Sequence, residues 1–248
     1  TGKREVPRTG GERGSKRALL SRLPENWRNR MWAAISPRSK YRLPFTVLAS
    51  CGCRPAELEN GVTVKLVHGD KLYFRIKGVK VAEDKGHAWR SLTVEPGDLP
   101  EAGWLREQVR DAGGKLIAEI DSVNSFTTWL YQVSKKASPR LKQSISAYVY
   151  RHAIAQVMKT DSDTDPETIA QALGHITDRT QRHYGTRKQK SSGGLRVVRA
   201  NAARKIKLDE TSRNRNPVRQ SEFRDVMDGN HVPKKERPNL PPTPKNLI

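Results

Sequence analysis

The sequence predicts a mainly α-helical protein with a small three-stranded antiparallel β-sheet, an α+β fold. Three observations predict it. Apolar residues recur at helical spacing on both sides of residues 62–94. That interval carries three strand-like runs separated by turn-forming residues. Prolines stand where helices begin and glycines where they end, at Pro55 and Pro166 and at Gly52 and Gly174.

Residues 1–18 are basic and Gly-rich with almost no large apolar groups, and are expected to be disordered unless DNA orders them. Residues 25–35 carry Trp27, Met31, Trp32 and Ile35 at helical spacing, with Pro24 at the start. A second helix spans residues 40–51, with Leu43, Val47 and Leu48 toward a core, and Gly52 breaks it. Pro55 opens a short helix that closes at Gly61. Strands follow over 62–67, 72–81 and 89–94, separated by the turns 68–70 and 83–86. Helical pieces return over 104–111 and 125–136. Ser146 caps a helix through Lys159, with Tyr150, Ala153, Ile154, Val157 and Met158 on its apolar side. A further helix runs from Asp165-Pro166-Glu167 to Gly174. Residues 186–194 read as a basic Ser/Gly linker, and 195–208 as an amphipathic helix with Leu195, Val198, Ala202 and Ile206 on one face. Residues 209–248 form a basic, Pro-rich tail expected to be flexible.

Composition limits the function. Lys and Arg number 47 against 26 Asp and Glu, a formal charge of +21 in 248 residues, which points to a polyanionic partner and first to a nucleic acid. Cys51 and Cys53 stand too close in sequence for an easy disulfide and have no second pair to complete a zinc site. They read as reduced core thiols of a cytoplasmic protein. No apolar run approaches the roughly 20 residues of a membrane span, and no signal peptide is visible. Because the first residue is Thr1, the chain reads as a fragment that has lost an earlier domain.

Four residues carry the candidate chemistry. Arg54 lies between a glycine break and a helix start, where backbone N–H groups and the positive helix end suit a phosphate oxygen. Glu57, three residues on, can orient it. Arg151 sits within a helix and offers a second guanidinium to the same phosphate, with Tyr148 one turn earlier. His175 follows a helix C-terminus, whose negative end is expected to raise its pKa. Tyr184 stands in the wet, basic run RTQRHYG, where Arg182, His183 and the two arginines above can activate its hydroxyl. Taken singly, each also suits a surface Arg–Glu pair, a solvated basic face or a capping histidine.

The ordered combination Gly52-Cys53-Arg54-Pro55-Ala56-Glu57-Leu58, Arg151, Leu173-Gly174-His175 and Tyr184 resembles the tyrosine recombinase (phage integrase) family over roughly residues 19–185. The resemblance implies the catalytic-domain fold of that family and a site-specific DNA recombinase that works without metal or other cofactor. Tyr184 would attack a scissile phosphate to form a 3′-phosphotyrosyl bond, with Arg54 and Arg151 clamping the non-bridging oxygens and His175 donating a hydrogen bond. A hairpin lysine would protonate the leaving 5′ oxygen; Lys77, Lys80 and Lys85 compete for the role. Lys80 is favoured because it ends the second strand, whereas Lys85 better fits the spacing to Arg90. One departure is Tyr148, which stands where the family carries a histidine, so slower or differently tuned chemistry is expected.

The resemblance further implies double-stranded DNA as partner, a homotetramer on DNA that is a monomer in solution, no membrane, and the cytoplasm of a bacterial, phage or mobile-element host cell. It makes residues 195–208 the candidate helix for exchange between protomers, with a DNA-bound basic tail as the alternative. Two rival functions are a catalytically weakened DNA-binding regulator of the same fold and a type IB topoisomerase or telomere resolvase.

Overall fold

The computed structural model describes residues 15–83, 86–161, 164–179 and 195–208, the side chain of Arg17 excepted. The expectations for residues 1–14, the linker 186–194 and the tail 209–248 fall outside the described residues, as do Lys85, Arg182, His183 and Tyr184. The architecture is mixed α+β, with eight α-helices among the described residues and one antiparallel sheet. That sheet has five strands, not the expected three.

Helix α1 (Lys16–Leu20) is capped by the Ser15 side chain and buries Leu19 and Leu20, so residues 16–18 of the segment expected to be disordered are helical. Helix α2 (Trp27–Ala33) places Trp27 against Tyr150 of helix α7 (Ala147–Thr160), with ring centroids 4.9 Å apart. Helix α3 (Arg42–Cys51) is buried along nearly its whole length and contributes Phe45, Val47 and Leu48. Cys51 and Cys53 are free buried thiols. Helices α4 (Pro55–Glu59), α5 (Pro100–Asp111) and α8 (Pro166–Leu173) each open on a proline whose missing N–H costs nothing at that position. Helix α6 (Val123–Ala137) starts at Ser122, whose side chain accepts from the Ser125 N–H.

In strands β1 (Val62–Val67), β2 (Lys71–Lys77) and β3 (Trp89–Glu95) the apolar residues recur with period two: Val62 and Val64, then Leu72, Phe74 and Ile76, then Leu92 and Val94 are buried, and in β3 Ser91 is buried as well. Helix α5 begins four residues earlier than expected. Strand β2 ends at Lys77, not at residue 81, which leaves Lys80 in the connection to β3.

The two unforeseen strands lie at the sheet edges, giving the order β4-β1-β2-β3-β5. Strand β4 (Lys115–Ala118) is only four residues long and exposes Lys115 and Ile117, so it shows no usable alternation. Strand β5 (Arg196–Ala202) pairs antiparallel with β3 and replaces the amphipathic helix expected there. The physical reason is a β-bulge. Thr93 faces Arg199 while Val94 faces Val197, so Val198 is an extra residue and two exposed positions separate buried Val197 from buried Ala200. The expected helical face fails at Val198, which is exposed, while Val197 and Ala200, which lie outside that face, are buried. Among the described residues no helix is long and apolar enough to cross a membrane.

Candidate active site

Helix α3 ends at Gly52 in the left-handed conformation (φ 63°), which turns the chain sharply into the extended Arg54 at the start of α4. A Cβ on Gly52 would stand 3.2 Å from Ile154 Cγ1 and 3.3 Å from Arg151 Cα, so α7 packs directly onto this turn. From α7, the Arg151 guanidinium donates to the Gly52 carbonyl (2.9 Å) and to the Leu173 carbonyl. Arg151 therefore joins the turn that presents Arg54 to the end of α8. Gly174, also left-handed (φ 66°), then delivers His175, whose N–H donates to the Ala170 carbonyl at 2.9 Å.

The organising group beneath these residues is the Glu57 carboxylate, fully buried in the first turn of α4. Its Oε1 accepts from Arg54 Nη1 (2.7 Å) and Arg90 Nη1 (2.6 Å). Its Oε2 accepts from the Arg54 backbone N–H (2.7 Å) and Arg90 Nη2 (2.8 Å). Arg90 thus forms a two-pronged pair with Glu57, while its Nε donates to the Ala172 carbonyl at 2.9 Å. Arg90 also fills the space beside Gly174, where a Cβ would lie 3.1 Å from Nη1. Burial alone would push the Glu57 carboxyl up, but the guanidiniums of Arg90, Arg54 and Arg151 outweigh it and hold the pKa at about 2.

The same positive charge acts on His175. Burial and the neighbouring Arg151, Arg54 and Arg90 lower its pKa to about 3. This overturns the expected upward shift from the helix end: burial and three guanidiniums outweigh a partial dipole charge, and the ring is neutral near pH 7. That ring belongs to a buried residue whose carbonyl is bonded by His87 Nε2 at 2.8 Å.

Of the sequence-selected residues, Arg54, Arg151 and His175 converge here from three separate elements. Arg54 is partly accessible, with 14% of its side chain exposed, whereas Arg151 is 1% exposed. Tyr148 lies one turn before Arg151 and is 42% exposed. Lys80 is exposed in the β2–β3 connection, and Lys77 is the residue that ends the strand, which removes the ground on which Lys80 was preferred to Lys77. Tyr184 and Lys85 lie outside the described residues.

Sequence reasoning missed Arg90 and His87 as parts of this cluster and underweighted Glu57. A signal for Arg90 was present. Period two places it on the same strand face as Leu92 and Val94, and a charge on a core face requires a partner. Among the described residues no group of three or more His, Cys, Asp or Glu gathers as a metal site.

No family model matches the chain, and no curated protein does. Among solved structures, a crystal structure of XerA recombinase shows a weak likeness, with 19% sequence identity and a TM-score of 0.47. The likeness covers 66% of this chain and spans 58% of that one.

Proposed function

We propose that the protein is a site-specific DNA strand transferase that cleaves and rejoins DNA through a covalent 3′-phosphotyrosyl intermediate. The observation that carries this reading is the juxtaposition of Arg54, Arg151 and His175 on a shared Glu57–Arg90 support, with guanidiniums near enough to depress the imidazole pKa. Such a cluster concentrates positive charge and directed N–H donors where a phosphodiester would gain charge during substitution. The ordered motifs of the sequence add the nucleophile.

In this proposal the Tyr184 phenol gives up its proton to solvent, and its oxygen forms a bond to phosphorus as the bond from phosphorus to the 5′ oxygen breaks. The hairpin lysine, Lys77 or Lys80 among the described candidates, gives its proton to that leaving oxygen. Arg54 and Arg151 neutralise the non-bridging oxygens, and His175 donates to the same group. A 5′-hydroxyl from the partner strand then attacks the phosphotyrosyl phosphorus, reforms the phosphodiester and releases Tyr184. Double-stranded DNA is the partner, the working assembly on it is a homotetramer, and binding weakens steeply with salt as Lys and Arg contacts release counterions.

The test uses a pool of nicked duplexes with randomised centres, recovered as protein–DNA adducts under denaturing conditions and sequenced. Wild type is expected to yield adducts mapping to Tyr184, and Tyr184→Phe to yield none while retaining DNA binding. Adducts that persist in that variant overturn the assignment of the nucleophile. A second reading, a regulator with weakened chemistry, draws on the solvent-exposed Tyr148 in place of a histidine. Sequence-selective binding without any adduct in wild type would favour it.

A further inference from the structure

Beyond Ala202 the chain forms a strap between the β2–β3 connection and the residues that follow His175. The Ala203 N–H donates to the Trp89 carbonyl at 3.0 Å. Arg204 then reaches the β2–β3 connection, where its Nη1 donates to the carbonyls of Ala82 (3.1 Å) and Glu83 (2.9 Å). Three residues on, the Lys207 N–H donates to the Ile176 carbonyl (2.7 Å), and the Asp178 N–H donates to the Lys207 carbonyl (3.3 Å). The strap therefore touches both the lysine-bearing connection and the residues that follow His175.

His87 stands at the junction and is 3% exposed. Its Nδ1 lies 3.3 Å from the Arg204 backbone nitrogen, and its Nε2 lies 2.8 Å from the His175 carbonyl oxygen. A backbone N–H only donates and a carbonyl only accepts. The two contacts admit a single form of the ring: neutral, with its proton on Nε2. A proton on Nδ1 would set donor against donor and break the contact with Arg204.

We propose that His87 is a positioning residue for the candidate site: its neutral ring ties the C-terminal strap to the backbone of His175, and protonation releases the strap. This rests on the reading of His175 as a member of a phosphate-binding site. The charged groups that face the ring are Arg90 from the adjoining strand β3 and Arg204 from the strap, with the His175 imidazole beyond the carbonyl. Burial and the two cationic neighbours lower the His87 pKa, against an opposing pull from the bond to His175. The neutral form therefore holds at neutral pH, and release belongs to the acid side of 6.5. Its role runs through backbone placement, so a loss of the bridge should reduce the rate of strand cleavage by about 10- to 100-fold with little change in DNA affinity.

Two substitutions divide the bridge. His87→Gln keeps a donor at the ε position for the His175 carbonyl, while His87→Asn keeps an acceptor at the δ position for the Arg204 N–H; neither titrates. The readout that needs no DNA is amide hydrogen exchange of the full chain at residues 176–178 and 204–208 between pH 7.5 and 4.5, corrected for intrinsic rates. Wild type is expected to lose protection about tenfold as pH falls, and both variants are expected to lose that pH dependence. His87→Asn should retain more protection at 204–208 than His87→Gln. The second readout is single-turnover adduct formation on the nicked duplex pool over the same pH range, where both variants should lack the acid limb seen in wild type. If the wild-type exchange titration is flat, the bridge is overturned whatever the DNA result, and without any variant having to fold. If exchange behaves as expected but wild type forms no adduct, the bridge stands and the proposed function falls. If adducts form and both variants match the wild-type rate and pH profile within twofold, the positioning role is overturned.

Discussion

Replacing Glu57 by Gln removes one negative charge at almost constant volume and tests the support beneath the candidate site. The carboxylate accepts four hydrogen bonds, two from Arg54 and two from Arg90, at 2.6–2.8 Å in a fully buried position. Its pKa of about 2, against 4.5 for an unperturbed glutamate, corresponds to about 3 kcal/mol of preference for the ionised form in the folded chain. Breaking a buried ion pair by removing one partner costs about 3–5 kcal/mol, because the other charge is stranded. We therefore expect Glu57→Gln to lose about 3–4 kcal/mol near neutral pH, read from urea unfolding followed by far-UV circular dichroism. The sign with pH is fixed by the lowered folded value. The stabilisation is complete above the unfolded value of 4.5 and is lost as pH falls toward 2, so wild type and variant should converge there. A variant within about 1 kcal/mol of wild type near pH 7 would refute an ionised carboxylate as the centre of this cluster.

His175 makes the opposite demand on protons, since its folded form is neutral. With a folded pKa of about 3 against 6.5 unfolded, its contribution is complete above 6.5 and erodes by about 1.4 kcal/mol per pH unit as pH falls. Unfolding free energies at pH 6.5 and 5 should show that slope reduced in His175→Gln; identical slopes would contradict a buried neutral ring. Gly52→Ala should cost about 1–2 kcal/mol, from a left-handed alanine and from its contact with Arg151 and Ile154, with an intact thermal transition at a lower temperature as the check. Under the proposed function, Tyr148→His should raise the single-turnover adduct rate without changing DNA affinity; a rate equal to or below wild type would assign Tyr148 no part in proton handling.

Much of this molecule was legible because local chemistry decides it. Proline and glycine mark the ends of α3, α4 and α8, and apolar residues at alternate positions mark β1 to β3. Arg54, Arg151 and His175 were identifiable as an ordered set, though not as neighbours. What stayed hidden depends on contacts distant in sequence. The salt bridge between Glu57 and Arg90 spans 33 positions, and the bond from Arg151 to Gly52 spans 99. Strand β5 was disguised by its bulge, and its true character exists only through β3. The upward pKa expected for His175 failed for a related reason: a dipole can be read from a helix end, whereas burial and three arginines arrive from elsewhere.

Strand β3 is an interior strand only because the polypeptide comes back from its far end. On the ribosome, about 100 residues separate it from β5, a delay of about 5–20 s at ordinary synthesis rates, during which a rank of amides and carbonyls lacks its final neighbour. Such an open margin invites pairing with another nascent chain. Trimming the protein at Gly185, where sequence motifs end, would make that transient state permanent, and a fragment cut there should self-associate rather than remain a tidy minimal unit.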